Sequence, residues 1–168
     1  MKKLLMIACM MFIGMAAFAQ QGATWVGVNA NYGMHKDYKN FGVGAKVQYE
    51  FIDNFRAEAS GNYFLKKDNC TMWDVNLNLH YLIPVGGVKI YPLAGLTLLG
   101  SKVDIPEITM FGVTTGGGSA SDSDFGANVG AGVEFPLSDA IKLNIEGKYQ
   151  IVKDWDRPVI SAGVSFAL

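Results

Sequence analysis

The sequence is poor in charge. Only 17% of its 168 residues are Asp, Glu, Lys or Arg, and the formal net charge is −1. That excludes a nucleic-acid partner, which needs a basic field over the phosphates. Proline is scarce at 5 and cysteine scarcer at 2. Cys9 falls in the leader described below, so no intramolecular disulfide is expected in the mature chain. Cys70 is expected in a loop, as a tolerated thiol. Beyond residue 19 there is no apolar run long enough for a helical span, which takes about 20 residues. What is abundant is apolar surface: half the residues are hydrophobic, 12% are aromatic and 20 are glycine. Disordered chains are poor in aromatics and rich in charge, so disorder is excluded. The length is that of one domain.

Residues 1–19 read as an export leader. Lys2 and Lys3 form a positive start, Leu4 to Phe12 an apolar stretch, and Ala17-Phe18-Ala19 a small-residue cleavage site. The apolar segment from Leu4 to Ala19 spans 16 residues, short for a membrane helix. Too few residues precede Cys9 for a lipoprotein leader. The mature domain is then 20–168, beginning at Gln20. Loss of Lys2 and Lys3 and of no acid takes its net charge from −1 to −3.

The mature chain alternates with a period of two, the mark of strands with unlike faces. From Phe41 to Phe51, one face carries Phe41, Val43, Ala45, Val47, Tyr49 and Phe51, and the other Gly42, Gly44, Lys46, Gln48 and Glu50. The pattern recurs over 24–32, 55–65, 72–83, 124–135, 140–151 and 159–168. A further strand over 88–100 is apolar on both faces, so its register stays open. Eight strands of about ten residues suit tilted transmembrane strands. Short turns at Asp53-Asn54, Pro84 to Gly87 and Pro136 to Asp139 alternate with longer links at 33–40, 66–71, 101–123 and 152–158. Long extracellular loops and short periplasmic turns alternate in this way in outer-membrane barrels, with both termini on the periplasmic side.

A soluble barrel also alternates, with its apolar face inward. The aromatics decide the sense here. On the apolar face they stand 8 to 10 residues apart at strand ends: Phe41 and Tyr49, Phe55 and Tyr63, Trp73 and Tyr81, Phe125 and Phe135. At about 3.3 Å per residue this is roughly 26–33 Å of strand. With tilt it becomes some 20–25 Å of height, the apolar band between two aromatic girdles. The predicted fold is all-β, an eight-stranded antiparallel up-and-down transmembrane β-barrel in the outer membrane.

At this point the sequence resembles a known family. Tyr91-Pro92-Leu93-Ala94-Gly95-Leu96 and the terminus from Ser161 to Leu168 resemble the outer-membrane β-barrel domain family, often called the porin family. In size the chain is similar to OmpX and to the barrel half of OmpA. Ser161, Gly163, Phe166 and Leu168 fill the positions of the family's C-terminal assembly signal, with Leu168 where Phe is common. The resemblance implies insertion by the barrel assembly machinery, and it covers residues 20–168. No peptidoglycan-binding domain is expected beyond the barrel.

The polar face carries Lys46, Glu50, Arg56, Glu58, Asp74, His80, Glu134, Lys142, Glu146 and Lys148. An eight-stranded barrel is only wide enough for side chains, so these residues are expected to form a packed, paired interior network. No catalytic, cofactor or metal site is expected. His35 and Asp37 are two ligands, too few for a metal. His80 lacks a nucleophile and an orienting acid at recognisable spacing. Gly116-Gly117-Gly118-Ser119 precedes no helix, so it is no phosphate cradle. Three readings of function follow. The first is a structural or surface-interaction protein whose loops meet partners or lipopolysaccharide. The second is a narrow pore for small solutes, and the third a lipid-modifying barrel enzyme. The link 101–123 is the candidate contact surface. Its first half could extend strand five as a hairpin. Its second half, Thr114 to Asp124, is too poor in apolar residues to be expected to order itself.

Overall fold

A computed structural model describes residues 22–35, 39–67, 70–110 and 113–168. The leader at 1–19, its cleavage point before Gln20, and Asp37 lie outside the described residues. The elements are β1 (Ala23–Met34), β2 (Lys39–Ile52), β3 (Phe55–Lys67), β4 (Cys70–Tyr81), β5 (Ile83–Val85), β6 (Val88–Met110), β7 (Val113–Pro136), β8 (Ile141–Val152) and β9 (Arg157–Ala167). β5 continues β4 past Leu82 and pairs with β6, Ile83 opposite Ile90 and Val85 opposite Val88. The wall therefore has eight staves. Each is antiparallel to the next, and the ring closes where β9 pairs β1 and β4 pairs β6. Closure follows from the solvent: hydrocarbon offers no hydrogen bond to an open strand edge.

Burial is inverted relative to a soluble protein. Lys46, Gln48, Arg56, Glu58, Asn62 and Asp74 are buried, whereas Phe41, Val43, Leu77 and Leu96 are each 59% exposed or more. The polar face of each strand points in and the apolar face out. Aromatics ring both ends of the outer face. Tyr32 and Phe41, partners on β1 and β2, have ring centroids 4.7 Å apart; Phe55 and Tyr81, partners on β3 and β4, are 5.0 Å apart at the opposite end. β6 now has a register: Tyr91, Leu93, Thr97 and Leu99 are buried inside, while Ala94 and Leu96 face out.

Short turns gather at one end together with both termini of the barrel. Asn54 (φ 66°) turns β2 into β3, and its carbonyl accepts a hydrogen bond from the Leu82 N–H at 2.7 Å. Gly86 (φ 61°) turns β5 into β6, a left-handed position that favours glycine.

The opposite end differs from the sequence reading in three ways. The longer links shrink, because the strands run into them and leave only 35–38, 68–69 and 153–156 between β1 and β2, β3 and β4, and β8 and β9. Residues 101–110 and 113–123 are the two strands of a hairpin, the ladder of β6 and β7 running in antiparallel register from Lys89 opposite Glu134 to Met110 opposite Val113. The expectation that its Gly- and Ser-rich half stays unordered weighed side-chain burial alone. Main-chain pairing propagated from a stave already held in the barrel needs no apolar core. Cys70 is not in a loop: it opens β4 and is buried beside Phe64, Met72, Leu99 and Val152. The unlike environments of the two faces give a direct test. Leu77→Arg, on the lipid side near mid-height, should lower unfolding free energy by about 2–4 kcal/mol. Asn78→Ser, one residue along and facing inward, should cost about 1 kcal/mol, one buried hydrogen bond. Guanidinium unfolding of the vesicle-inserted barrel measures both.

Candidate functional site

The lumen is filled by three connected polar levels. Near the turn end, Arg56 from β3 donates to the Glu134 carboxylate of β7 and lies 3.8 Å from Glu50. Lys142 of β8 joins the same acids, 3.2 Å from Glu134 and 3.6 Å from Glu50, with its ammonium 4.0 Å from the Trp25 ring centroid. The Arg56 Nε meets His80 Nδ1 at 3.2 Å, and the His80 ring stacks on Tyr91 at 4.7 Å. Tyr91 fits because Gly132 opposes it: a Cβ there would stand 2.4 Å from the Tyr91 ring.

At mid-height, Lys46 donates to Asn144 at 2.7 Å and lies 3.7 Å from Glu58, which also accepts from Gln48 at 2.7 Å. Lys148 lies 3.6 Å from Glu146, whose other oxygen accepts from Tyr91 at 3.2 Å. An asparagine mesh completes the level, with Asn128 donating to Asn76 and Asn78 and Asn29 donating to Asn31 and Asn62. Toward the hairpin end, Arg157 of β9 pairs with Asp74 of β4 at 2.9 Å and donates to Gln150 at 2.7 Å. Its guanidinium covers the Phe64 ring at 4.3 Å.

Every interior residue expected from the sequence lies inside the barrel. Glu50 is the least covered, its side chain 23% exposed; the others are buried. Arg157 was missed because it falls in the expected link 152–158; it opens β9 instead. With it the described residues place five cations in the lumen (Lys46, Arg56, Lys142, Lys148 and Arg157) against five acids (Glu50, Glu58, Asp74, Glu134 and Glu146). Tyr91 was missed because strand 88–100 shows no alternation to orient it. Apolar side chains close both ends of the network: Phe64, Met72, Leu99 and Val152 at one, and Leu82, Tyr91 and Leu93 at the other. The void between Lys46, Glu58, Glu146 and Lys148 is about 10 Å³, at most one water molecule.

One group of metal-ligating type occurs among the described residues: Glu58, His80 and Glu146, with ligand atoms within 4.8 Å of one another. Lys46 and Lys148 already neutralise the two acids at 3.7 and 3.6 Å, so a divalent ion would add uncompensated charge. Of the other residues read from the sequence, His35 packs against Trp155 at 5.0 Å between centroids. Ser161 faces in and donates to Asn31 at 2.6 Å, while Phe166 on β9 and Leu168 just past its end are exposed. Gly163 sits between them, paired with Asn29 on β1 and Asn144 on β8.

The second distinctive feature is the overhang of β6 and β7. The β4 ladder on β6 ends at Cys70 opposite Val103, and the β8 ladder on β7 begins at Val152 opposite Gly126. Beyond those rungs, among the described residues, 104–110 pair only with 113–119 of β7, and 120–125 pair only with 98–103 of β6. The β7 stretch from Gly118 to Ser123 is exposed.

A family model described as "Outer membrane protein beta-barrel domain" matches residues 5–167. The chain belongs to that family. It is an outer-membrane β-barrel, and solved structures share its fold. Neisserial surface protein A (NspA) superposes with a TM-score of 0.65 at 18% identity, over 88% of this chain and 97% of that one. Ail, the attachment invasion locus protein of Yersinia pestis, gives 0.60 at 16% identity, over 88% and 97%. The N-terminal barrel domain of Pseudomonas aeruginosa OprF gives 0.59 at 17% identity, over 88% and 100%. Among curated proteins none matches the chain.

The pairing predicts a strong asymmetry between single and double substitutions. Arg157→Met leaves Asp74 charged and buried, which should cost about 3–5 kcal/mol. Adding Asp74→Asn should recover most of that loss, because the orphaned charge is gone. A double-mutant cycle on unfolding in detergent micelles measures the recovery; purely additive losses would show that the two side chains do not act as a pair.

Proposed function

We propose that this outer-membrane barrel is sealed and works at the cell surface through its overhanging β6–β7 hairpin, as a structural and surface-interaction protein. The observation that carries the reading is the filled lumen. Ten charged groups among the described residues balance one another, apolar side chains pack at both ends of the network, and the void between Lys46, Glu58, Glu146 and Lys148 is about 10 Å³. A narrow pore would need a water-lined path past Tyr91, Arg56 and Phe64, all fully buried. A lipid-modifying enzyme would need a nucleophile at His80, which instead meets Arg56 and stacks on Tyr91.

In this reading the leader at 1–19 is cleaved after export, and the barrel assembly machinery reads Ser161, Gly163, Phe166 and Leu168. The turn end then faces the periplasm and the hairpin end the medium, the arrangement usual for such barrels. The unpaired edges of 104–110 and 113–125 are templates for an added strand from a partner. The names of two structural relatives, a surface protein and an attachment protein, accord with a role outside the cell.

In planar bilayers the purified barrel should show no stable conductance steps; large, long-lived steps would favour the pore. Protease added to intact cells should cut within 103–122 while the rest of the barrel stays folded. Replacing 103–122 with a short Gly-Ser turn should leave membrane insertion intact and abolish adhesion to host or bacterial surfaces. A block in insertion would make the hairpin structural, and unaltered adhesion would remove it as the contact surface.

A further inference from the structure

The turn end carries a cleft that the lumen network does not fill. Its volume is about 590 Å³, and it lies where Gly22 and Ala23, at the start of β1, meet the β2–β3 turn, Leu82 and Lys89. The turn is held in place, because the Leu82 N–H donates to the Asn54 carbonyl. Two acids border the cleft, Glu50 and Asp53. Glu50 already has two cations, Lys142 at 3.6 Å and Arg56 at 3.8 Å. Asp53 is exposed and forms no ion pair among the described residues, Lys89 across the cleft included.

We propose that the α-ammonium of Gln20, released when the leader is cleaved, occupies this cleft as the partner of Asp53. The proposal rests on the cleavage point given above. The strand register carries it. β1 and β2 pair with Thr24 opposite Tyr49 and Ala23 opposite Glu50. Each further step along β1 toward the amino terminus is one step along β2 toward the turn. Three more steps set Gln20 opposite Asp53, and opposite charges placed across an antiparallel pair attract. Reach agrees, since two residues beyond Gly22 span at most about 7 Å. Gly22 keeps the chain close to β2: a Cβ there would run into the Glu50 carbonyl oxygen. Hydrolysis of the amide between Ala19 and Gln20 leaves a carboxylate on the leader and an amine on Gln20, mostly protonated at neutral pH. Before cleavage that nitrogen is an uncharged amide, with the apolar leader continuing from it. The cleft therefore separates processed chain from precursor, because only the processed chain supplies its cation.

The test uses mature barrel purified from outer membranes and kept folded in micelles. Its intact mass fixes the first residue. Acylation of the α-amine by an N-hydroxysuccinimide ester near neutral pH is then followed by mass spectrometry of the amino-terminal peptide. A carboxylate partner keeps the amine protonated and unreactive. Wild type should therefore react about fivefold more slowly than Asp53→Asn, the upper end for an exposed ion pair. Asp53→Glu, which keeps the charge, should restore the slow rate, and Lys89→Gln should leave it unchanged. A refolded barrel with one alanine added before Gln20 moves the ammonium out of register and should react at the fast rate. The heat-dependent gel shift reports that each variant is folded. Equal rates in wild type and Asp53→Asn, both folded and both beginning at Gln20, overturn the ammonium site and leave the leader reading standing. A chain that begins elsewhere overturns both together. A Gln20 start short of one ammonia is the cyclised pyroglutamate, which carries no ammonium, and it overturns the site as well.

Discussion

The structure depends on one constraint: in hydrocarbon, no water is present to satisfy a polar group. For the main chain, the only strand solution is a closed ring, and β9 against β1 and β4 against β6 close it. For the side chains, the constraint inverts the usual arrangement, with leucine, valine and phenylalanine outside and lysine, arginine and glutamate inside. Eight staves make the ring so narrow that the interior is filled by side chains. Each polar group inside must then find its partner inside. The five cations and five acids of the lumen meet that condition, and the asparagines at 29, 31, 62, 76, 78 and 128 carry hydrogen bonds between the charged levels.

Such a network contributes specificity more readily than stability. Bringing a charge out of water costs several kcal/mol, and a good partner roughly offsets it. A register slip of one residue, however, would send Arg56, Glu58, Asp74 and Glu134 to the lipid and aliphatic side chains to the lumen. The ion pairs therefore act with the apolar face to permit a single register. Packing supports the same end: Gly132 leaves space for Tyr91, and Tyr91 in turn holds the His80 ring in place. At the hairpin end the constraint lapses. Above the membrane, water satisfies open edges, so β6 and β7 can run on alone as a ribbon.

Much of this was legible in the residues because the bilayer imposes a period of two on each stave. Phe41 to Phe51 and Phe125 to Phe135 show it plainly; β2 extends the first by only two residues and one, while β7 runs twelve residues further into the hairpin. Three parts were not legible. Strand 88–100 is apolar on both faces because its inward residues include the end plugs Tyr91, Leu93 and Leu99, so alternation gave no orientation there. Arg157 stands beside Trp155, Asp156 and Pro158 and looks like loop composition; its role comes from Asp74, 83 residues away. The Gly- and Ser-rich half of the hairpin is held by main-chain pairing, which leaves little trace in side-chain chemistry once the membrane no longer enforces alternation; its apolar half is legible as an extension of strand five.

A sealed barrel requires a dry lumen closed by its own charges. The most direct measurement is thiol accessibility inside it. In a Cys70→Ala background, single cysteines at Asn76 and Asn128, both buried at mid-lumen, would be exposed to a small water-soluble methanethiosulfonate in folded, vesicle-inserted barrel. A cysteine at Ser121 on the hairpin serves as the accessible control. A dry lumen gives rapid labelling at 121 and none at 76 or 128 until the barrel is unfolded. Labelling at 76 and 128 at rates near that of the control would mean a water-filled lumen and would contradict it.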